Sequence, residues 1–325
     1  MAKRTVLPDA RVHPRFSGIC TFCRYPRLED VAPENTPVDW ALYGAPFDGG
    51  VTYRPGARFG PRAVRDASQY IKRYSMHHGV DVTQALSLAD AGDAPVSPYD
   101  IAKTLDLIDD FACSLGEAKH TKLLAVGGDH SIAYANIRAT YTRRGEPAGG
   151  LALVHFDSHL DTVDEVWGSK WGHASPFRRA IEEGLVDPKK MISIGIKGPL
   201  NSGDDMGFAK QHGVTVVPFD DLRPGGKGGR AIADYLGRVG QSEAYITFDV
   251  DVVDPAFAPG TGTPAVGGLT SAEALDLLRN LRGLRIAGAD VVEVLPERDV
   301  AGITALLAGQ VMFEILALDA AGTKG

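Results

Sequence analysis

Seven short apolar runs set the limits on what this chain can fold into. They are Trp40-Ala41-Leu42-Tyr43, Leu123-Leu124-Ala125-Val126, Leu151-Ala152-Leu153-Val154, Ile192-Ser193-Ile194, Val214-Thr215-Val216-Val217, Ala244-Tyr245-Ile246-Thr247 and Ala289-Asp290-Val291-Val292. Most are bounded by Gly or Asp, as expected of strands buried on both faces. Helical stretches lie between them, at 101–115, 177–183, 229–239, 271–281 and 304–317. In the fourth, Ser271-Ala272-Glu273 reads as an N-cap followed by an acid near the positive helix end. Strands alternating with helices predict an α/β fold, three layers deep (αβα), with a mostly parallel central sheet.

No repeat of fixed period is present. Residues 1–36, rich in Pro, Arg and isolated aromatics, read as an N-terminal arm laid over a single α/β domain at 37–318. Residues 319–325 read as a tail, fraying from Ala320. Net charge is −7 and no Lys/Arg run exceeds two residues, so the basic patch of a nucleic-acid binder is missing. The start of the chain lacks an apolar signal region, and no stretch comes near the ~20 apolar residues of a membrane span. Three cysteines (Cys20, Cys23, Cys113) make no even disulfide framework, which predicts a reducing cytoplasm, with Cys20 and Cys23 as free thiols. The glycine-rich Pro224–Gly229 stretch lacks the spacing of a phosphate loop.

Three polar clusters interrupt the apolar runs, each just after a predicted strand, where ligands bind in an open α/β sheet. They are Gly127-Gly128-Asp129-His130-Ser131, Asp157-Ser158-His159-Leu160-Asp161 and Asp249-Val250-Asp251. In extended chain, residues two apart share a face, ~6–7 Å from one another. Asp157, His159 and Asp161 would therefore converge, as would Asp249 and Asp251. Each cluster alone has a plainer reading, as a turn, a capping Asp or a solvated loop. Together, with His130, they place four carboxylates and two imidazoles at the end of an apolar sheet. Burying that much negative charge without cations is prohibitively costly. Two divalent metals would offset it, and hard oxygens mixed with imidazole suit Mn²⁺ ahead of Ni²⁺, Co²⁺ or Fe²⁺.

The three clusters resemble the motifs of the ureohydrolase (arginase/agmatinase) family, over about Pro37 to Leu318. Thr52-Tyr53-Arg54-Pro55-Gly56-Ala57-Arg58-Phe59-Gly60-Pro61 is similar to the agmatinase branch, and Ser175–Ala180 and Asp290–Val294 extend the likeness. The resemblance implies an arginase-like fold and hydrolysis of a guanidino compound, agmatine or a guanidino acid, to urea and an amine. One metal would be held by His130, Asp157, Asp161 and Asp249, the other by His159, Asp157, Asp249 and Asp251, with Asp157 and Asp249 bridging. Such a pair lowers the pKa of a bridging water towards neutrality. His173 and Asp161 are implied as catalytic residues, His173 moving a proton to the leaving amine, and Glu293 with His173 as the substrate-binding residues. A homo-oligomer, trimer or hexamer, is implied as well.

Two positions depart from the family pattern. Ser158 replaces the commoner Ala and is expected to be harmless; Ala174 follows His173 where many agmatinase-like members have Gly, which bears on the substrate. The 161–171 loop should lie at the pocket mouth, with Trp167 and Trp171 either facing the substrate tail or packed beneath. Alternative readings are hydrolysis of a short or N-alkylated guanidine or biguanide, possible with Ni²⁺; a silent guanidino-binding subunit; and a zinc amide deacetylase. Retention of all six ligands with His173 and Glu293 speaks against the silent subunit. In a deacetylase, His130 and Asp161 would lack a purpose.

Overall fold

The protein is described here over residues 4–322 in a computed structural model. Its strands are β1 (Trp40–Ala45), β2 (Tyr74–Ser75), β3 (Val80–Asp81), β4 (Leu88–Asp93), β5 (Lys122–Gly127), β6 (Leu151–Phe156), β7 (Val186–Ile196), β8 (Thr215–Pro218), β9 (Glu243–Asp249) and β10 (Arg285–Val292). Eight of them form one sheet in the order β4-β1-β5-β10-β9-β6-β7-β8, every neighbouring pair parallel. The β2–β3 pair is a separate antiparallel hairpin. Because the strands are parallel, all their C-terminal ends reach one edge, and that edge carries the polar clusters.

The helices are α1 (Gly60–Ala67), α2 (Val82–Ala85), α3 (Ile101–Ser114), α4 (Ile132–Arg143), α5 (Pro176–Glu182), α6 (Gly207–His212), α7 (Phe219–Leu222), α8 (Gly228–Val239), α9 (Ser271–Arg279) and α10 (Ile303–Gly322). Alternate strand residues feed two apolar cores. Leu42, Leu124, Val154, Ile246 and Val291 pack with α1, α8, α9 and α10. Tyr43, Leu123, Leu153 and Tyr245 pack with α3, α4 and α5 on the other face. This is the expected three-layer arrangement.

Several local expectations are corrected. The edge strand β4 was not expected, because Leu88-Ala89-Asp90-Ala91-Gly92-Asp93 breaks its apolar pattern with acids. Those acids are matched by Arg65, whose Nε donates to Asp90 Oδ2 at 2.8 Å and Nη1 to Asp93 Oδ1 at 2.6 Å. Helix α9 is capped by Thr270 rather than Ser271; Thr270 Oγ1 accepts from Glu273 N, and Thr270 N donates back to Glu273 Oε2 at 2.8 Å, a reciprocal capping box. The segment Val300–Gly322 is, contrary to expectation, long and apolar enough to cross a membrane by length and composition. Its apolarity belongs to the core: Val311, Met312, Ile315 and Leu316 are fully buried against the sheet. The expected fraying tail is helical to Gly322, and Asp319 is anchored, 2.6 Å from Lys122 Nζ and 2.8 Å from Trp40 Nε1. Residues 1–3 and 323–325 lie outside the described residues.

Candidate metal centre

All six expected ligands meet at the C-terminal edge, contributed by the ends of β5, β6 and β9. His130 Nδ1 lies 3.0 Å from Asp157 Oδ2, 3.0 Å from Asp161 Oδ2 and 3.3 Å from Asp249 Oδ2. His159 Nδ1 lies 3.3 Å from Asp157 Oδ1 and 3.1 Å from Asp251 Oδ2. Asp157 thus reaches both imidazoles; it and Asp249 are buried, while the His159 side chain is 42% exposed.

Strand geometry is not what brings them together. Asp249 ends β9, but Asp251 sits in a 3-10 turn (Val250–Val252), and Asp157 to Asp161 lie beyond β6. The carboxylates themselves fold these loops: Asp157 Oδ1 accepts the His159 N–H at 2.6 Å, and Asp249 Oδ1 accepts the Asp251 N–H at 2.8 Å. Each is an Asx turn that holds the next ligand two residues on. Asp161 takes a left-handed backbone (φ 51), as does Glu293 (φ 66). Non-glycine residues held there cluster at functional sites. Gly128 is required for packing, since a Cβ would collide with the Phe47 carbonyl oxygen.

One hydrogen-bond chain determines the state of His130. Thr247 Oγ1 donates to Asp290 Oδ1 at 2.6 Å, so it is an acceptor for His130 Nε2, 2.8 Å away. The Nε2 proton therefore points outward, and the Nδ1 lone pair faces three carboxylate oxygens without a hydrogen-bond partner. A lone pair aimed at anions needs a cation between them, and a carboxylate-oriented imidazole is how metal-binding histidines are usually held. Without a cation, protons are the only relief. Burial, with the charges of Asp251 and Asp157, pushes Asp249 well above the usual carboxylate range. Burial opposes the charged form of His130, yet Asp157, Asp161 and Asp249 raise it well above the usual imidazole value. These residues fit a pair of divalent ions, and loading them would release protons.

The two remaining site residues touch each other. His173 Nδ1 donates to Glu293 Oε1 at 2.9 Å, the same oxygen that accepts the His130 N–H at 2.9 Å. Thr52 N donates to His173 Nε2 at 2.9 Å, and Thr52 Oγ1 is 2.8 Å from the same nitrogen. Glu293 Oε2 is buried and unpartnered. A cavity of about 610 Å³ opens onto His159, Asp161, His173 and Asp249, with the 161–166 loop on one wall and the segment from Pro199 to Phe208 on the other.

A profile of the arginase family matches residues 38–318. The chain belongs to that family. It is 44% identical to a guanidinopropionase of Pseudomonas aeruginosa over 95% of this chain and 94% of that protein. It is 38% identical to a mitochondrial guanidino acid hydrolase of Homo sapiens over 97% of this chain and 87% of that protein. The solved structure of proclavaminate amidinohydrolase from Streptomyces clavuligerus superposes with a TM-score of 0.86 at 41% identity, covering 95% of this chain and 99% of that one.

Within this arginase-family site, several residues were not anticipated. His155 is fully buried, with Nε2 2.8 Å from Asp157 Oδ2 and Nδ1 3.1 Å from Ser193 Oγ. The same two-residue spacing that singles out Asp157, His159 and Asp161 extends back to it. Asp129 is buried and pushed up to about 6 by burial and by Glu293, though Gly50 N donates to it at 2.7 Å. It holds the loop that carries Thr52, and no short motif marks that relation. Trp171 packs under the 161–171 loop, its ring 4.9 Å from that of Tyr134, while Trp167 is 83% exposed at the loop tip. Ser158 is not idle, because its hydroxyl donates to the Asp251 carbonyl at 2.7 Å. Asp254 accepts from Ala256 N, Gly267 N and Gly268 N, closing the 254–268 loop. Cys20 is exposed, Cys23 is buried and both are free thiols.

Proposed function

We propose that the protein is a two-metal amidinohydrolase that cleaves a guanidino compound with an acidic tail, releasing urea. The observation that carries this is Glu293: one oxygen is committed to His130 N and His173, and the other is buried and unpartnered. A guanidinium is the planar, permanently charged group such an oxygen recognises, through charge-assisted N–H donors. Bound there, its carbon would lie beside the clustered ligands. The metal pair, Mn²⁺ ahead of Ni²⁺, supplies water ionised at neutral pH to a carbon too resonance-stabilised for a side-chain nucleophile.

The acidic tail is supported by relatives that include a guanidinopropionase and a guanidino acid hydrolase. It is also supported by Arg178, the one Lys or Arg among the residues lining the cavity. Its Nε donates to Glu182 Oε1 at 2.9 Å, its Nη2 lies 3.4 Å from Asp164 Oδ2 and its guanidinium lies over Phe208, which leaves Nη1 for a carboxylate. The test is urea release over 3-guanidinopropionate, 4-guanidinobutyrate, agmatine, arginine and a short N-alkylguanidine, with Mn²⁺ and again with Ni²⁺. A guanidino acid should lead, Arg178→Ala should raise its KM, and chelation should end activity with about two ions per chain accounted for. Preference for agmatine would overturn the acidic tail, and no urea from any compound would overturn the whole reading.

His173 serves the proton. Burial works against its charged form, but the hydrogen bond and charge of Glu293 outweigh it and raise the imidazole to about 9. It is therefore protonated at neutral pH and loses its proton as pH rises through about 9. The Thr52 N–H aimed at Nε2 opposes a proton there, making that one the readier to leave for the departing amine. A guanidinium on Glu293 would neutralise the charge that sustains the imidazolium, so the pKa should drop in the complex. kcat/KM reports the free enzyme and kcat the complex. The alkaline fall in kcat should then lie at lower pH than that in kcat/KM. His173→Asn should lower kcat about a hundredfold, the usual worth of a proton donor, with KM nearly unchanged and partial rescue by imidazole. A steep rise in KM at unchanged kcat would make His173 a binding residue only.

A further inference from the structure

Lys197 follows β7 at the site edge and plays no part in the scheme above. Its Nζ donates to Ser158 Oγ, to the Asp251 carbonyl at 2.7 Å and to the Val252 carbonyl at 3.1 Å. An ammonium has three N–H donors, so its capacity is filled. Among the described residues it forms no ion pair, which is unusual for a largely covered cation. The backbone is tied as well, Lys197 N donating to Ser158 O at 3.1 Å. The side-chain stem runs against Gly268, where a Cβ would lie 2.7 Å from Lys197 Cε. Gly268 N in turn donates to Asp254 Oδ2 at 3.0 Å.

Three loops therefore meet on one side chain: the one carrying Asp157 to Asp161, the one carrying Asp249 to Asp254, and the return of the latter at Gly268. Lys197 is also the root of the cavity wall that begins at Pro199. Asp251 is gripped from behind at its carbonyl, while its Oδ1 accepts Ser158 N at 3.0 Å and its Oδ2 faces His159. Asp251 and His159 belong to the second metal position alone, and nothing in the His130 shell touches Lys197.

We propose that Lys197 is a positioning residue for the second metal position and for the substrate wall, locking the Asp251 loop against both through Ser158. The proposal rests on the two-metal reading, so its test measures metal without turnover. Stripped protein is titrated with Mn²⁺ by calorimetry, and bound metal is counted after desalting. The unaltered chain should take two ions. Lys197→Met should weaken one of them ten- to a hundredfold, the usual cost of losing an outer-shell partner, and leave the other unchanged. KM for the best guanidino compound should rise in the same variant. Lys197→Arg, which keeps charge and donors, should restore most of the affinity. Should Lys197→Met fail to fold, Ser158→Ala removes one acceptor and should weaken the same ion by a smaller factor. Equal weakening of both ions, or two ions held as tightly as before, would overturn the proposal. An unaltered chain that never takes a second ion would overturn the two-metal reading instead.

Discussion

Asp249→Ala is expected to lower turnover by at least about a thousandfold, equivalent to ~4 kcal/mol of lost stabilisation, and to empty both metal positions. The side chain reaches His130 with Oδ2, 3.3 Å from Nδ1, and holds the Asp251 N–H with Oδ1. Its loss would remove the ligand proposed to be shared and release the turn that presents Asp251. Asp157→Ala should be as severe, because Asp157 Oδ1 holds the His159 N–H and Oδ2 receives His155. Both variants leave the other buried carboxylates repelling one another with nothing between them, the most costly way to break a charged cluster. His159→Ala should be milder, since that side chain is half-exposed and serves one ion. Metal content and kcat on purified variants decide this. Greater loss of metal in His159→Ala than in Asp249→Ala would show that the bridges are assigned to the wrong residues.

The second large effect is expected from Glu293→Gln. The amide oxygen can still accept from His130 N and His173, so the loop keeps its shape. The amide nitrogen then takes the place of Oε2 and turns two N–H groups towards the N–H groups of the guanidinium. Losing a buried charge pair and facing donor with donor should cost ~2–4 kcal/mol, roughly thirty- to a thousandfold in kcat/KM. Metal content should stay at two ions, which separates substrate recognition from collapse of the site. A Glu293→Gln enzyme with unchanged kcat/KM would remove Glu293 from the substrate's path.

What could be seen in the sequence was whatever is local. Seven strands were legible as apolar runs, and the six ligands as clusters directly after three of them. Helix α4 was not, although it begins one residue after Ser131. It is buried on nearly every side, from Ile132 through Thr140, so it lacks the one-sided stripe that marks a surface helix. Strand β4 was hidden because Asp90 and Asp93 look like solvated residues until Arg65 is placed beside them. The geometry of the ligands was harder to read than their identity. Extended-chain spacing pointed to residues that do converge, but Asx turns and a left-handed Asp161 bring them together rather than a strand face. Thr52 on His173, Thr247 on His130 and Lys197 on Asp251 were not legible at all. Each joins distant parts of the chain, and no short motif records such a meeting.

The strand order has a consequence for how the molecule comes into being. β10, the last strand in sequence among the described residues, is inserted between β5 and β9 at the middle of the sheet. Until Val292 is available, β1, β4 and β5 have no neighbour linking them to β6, β7, β8 and β9. Such long-range pairing makes folding slow and leaves edges open to wrong partners. It also means that the His130 position cannot assemble early, because His130 stands on one side of the missing strand and the four aspartates on the other. A chain stopped before β10 should emerge as two half-sheets that lack the metal position built on His130. In this architecture β10 is the keystone that joins His130 to the aspartates.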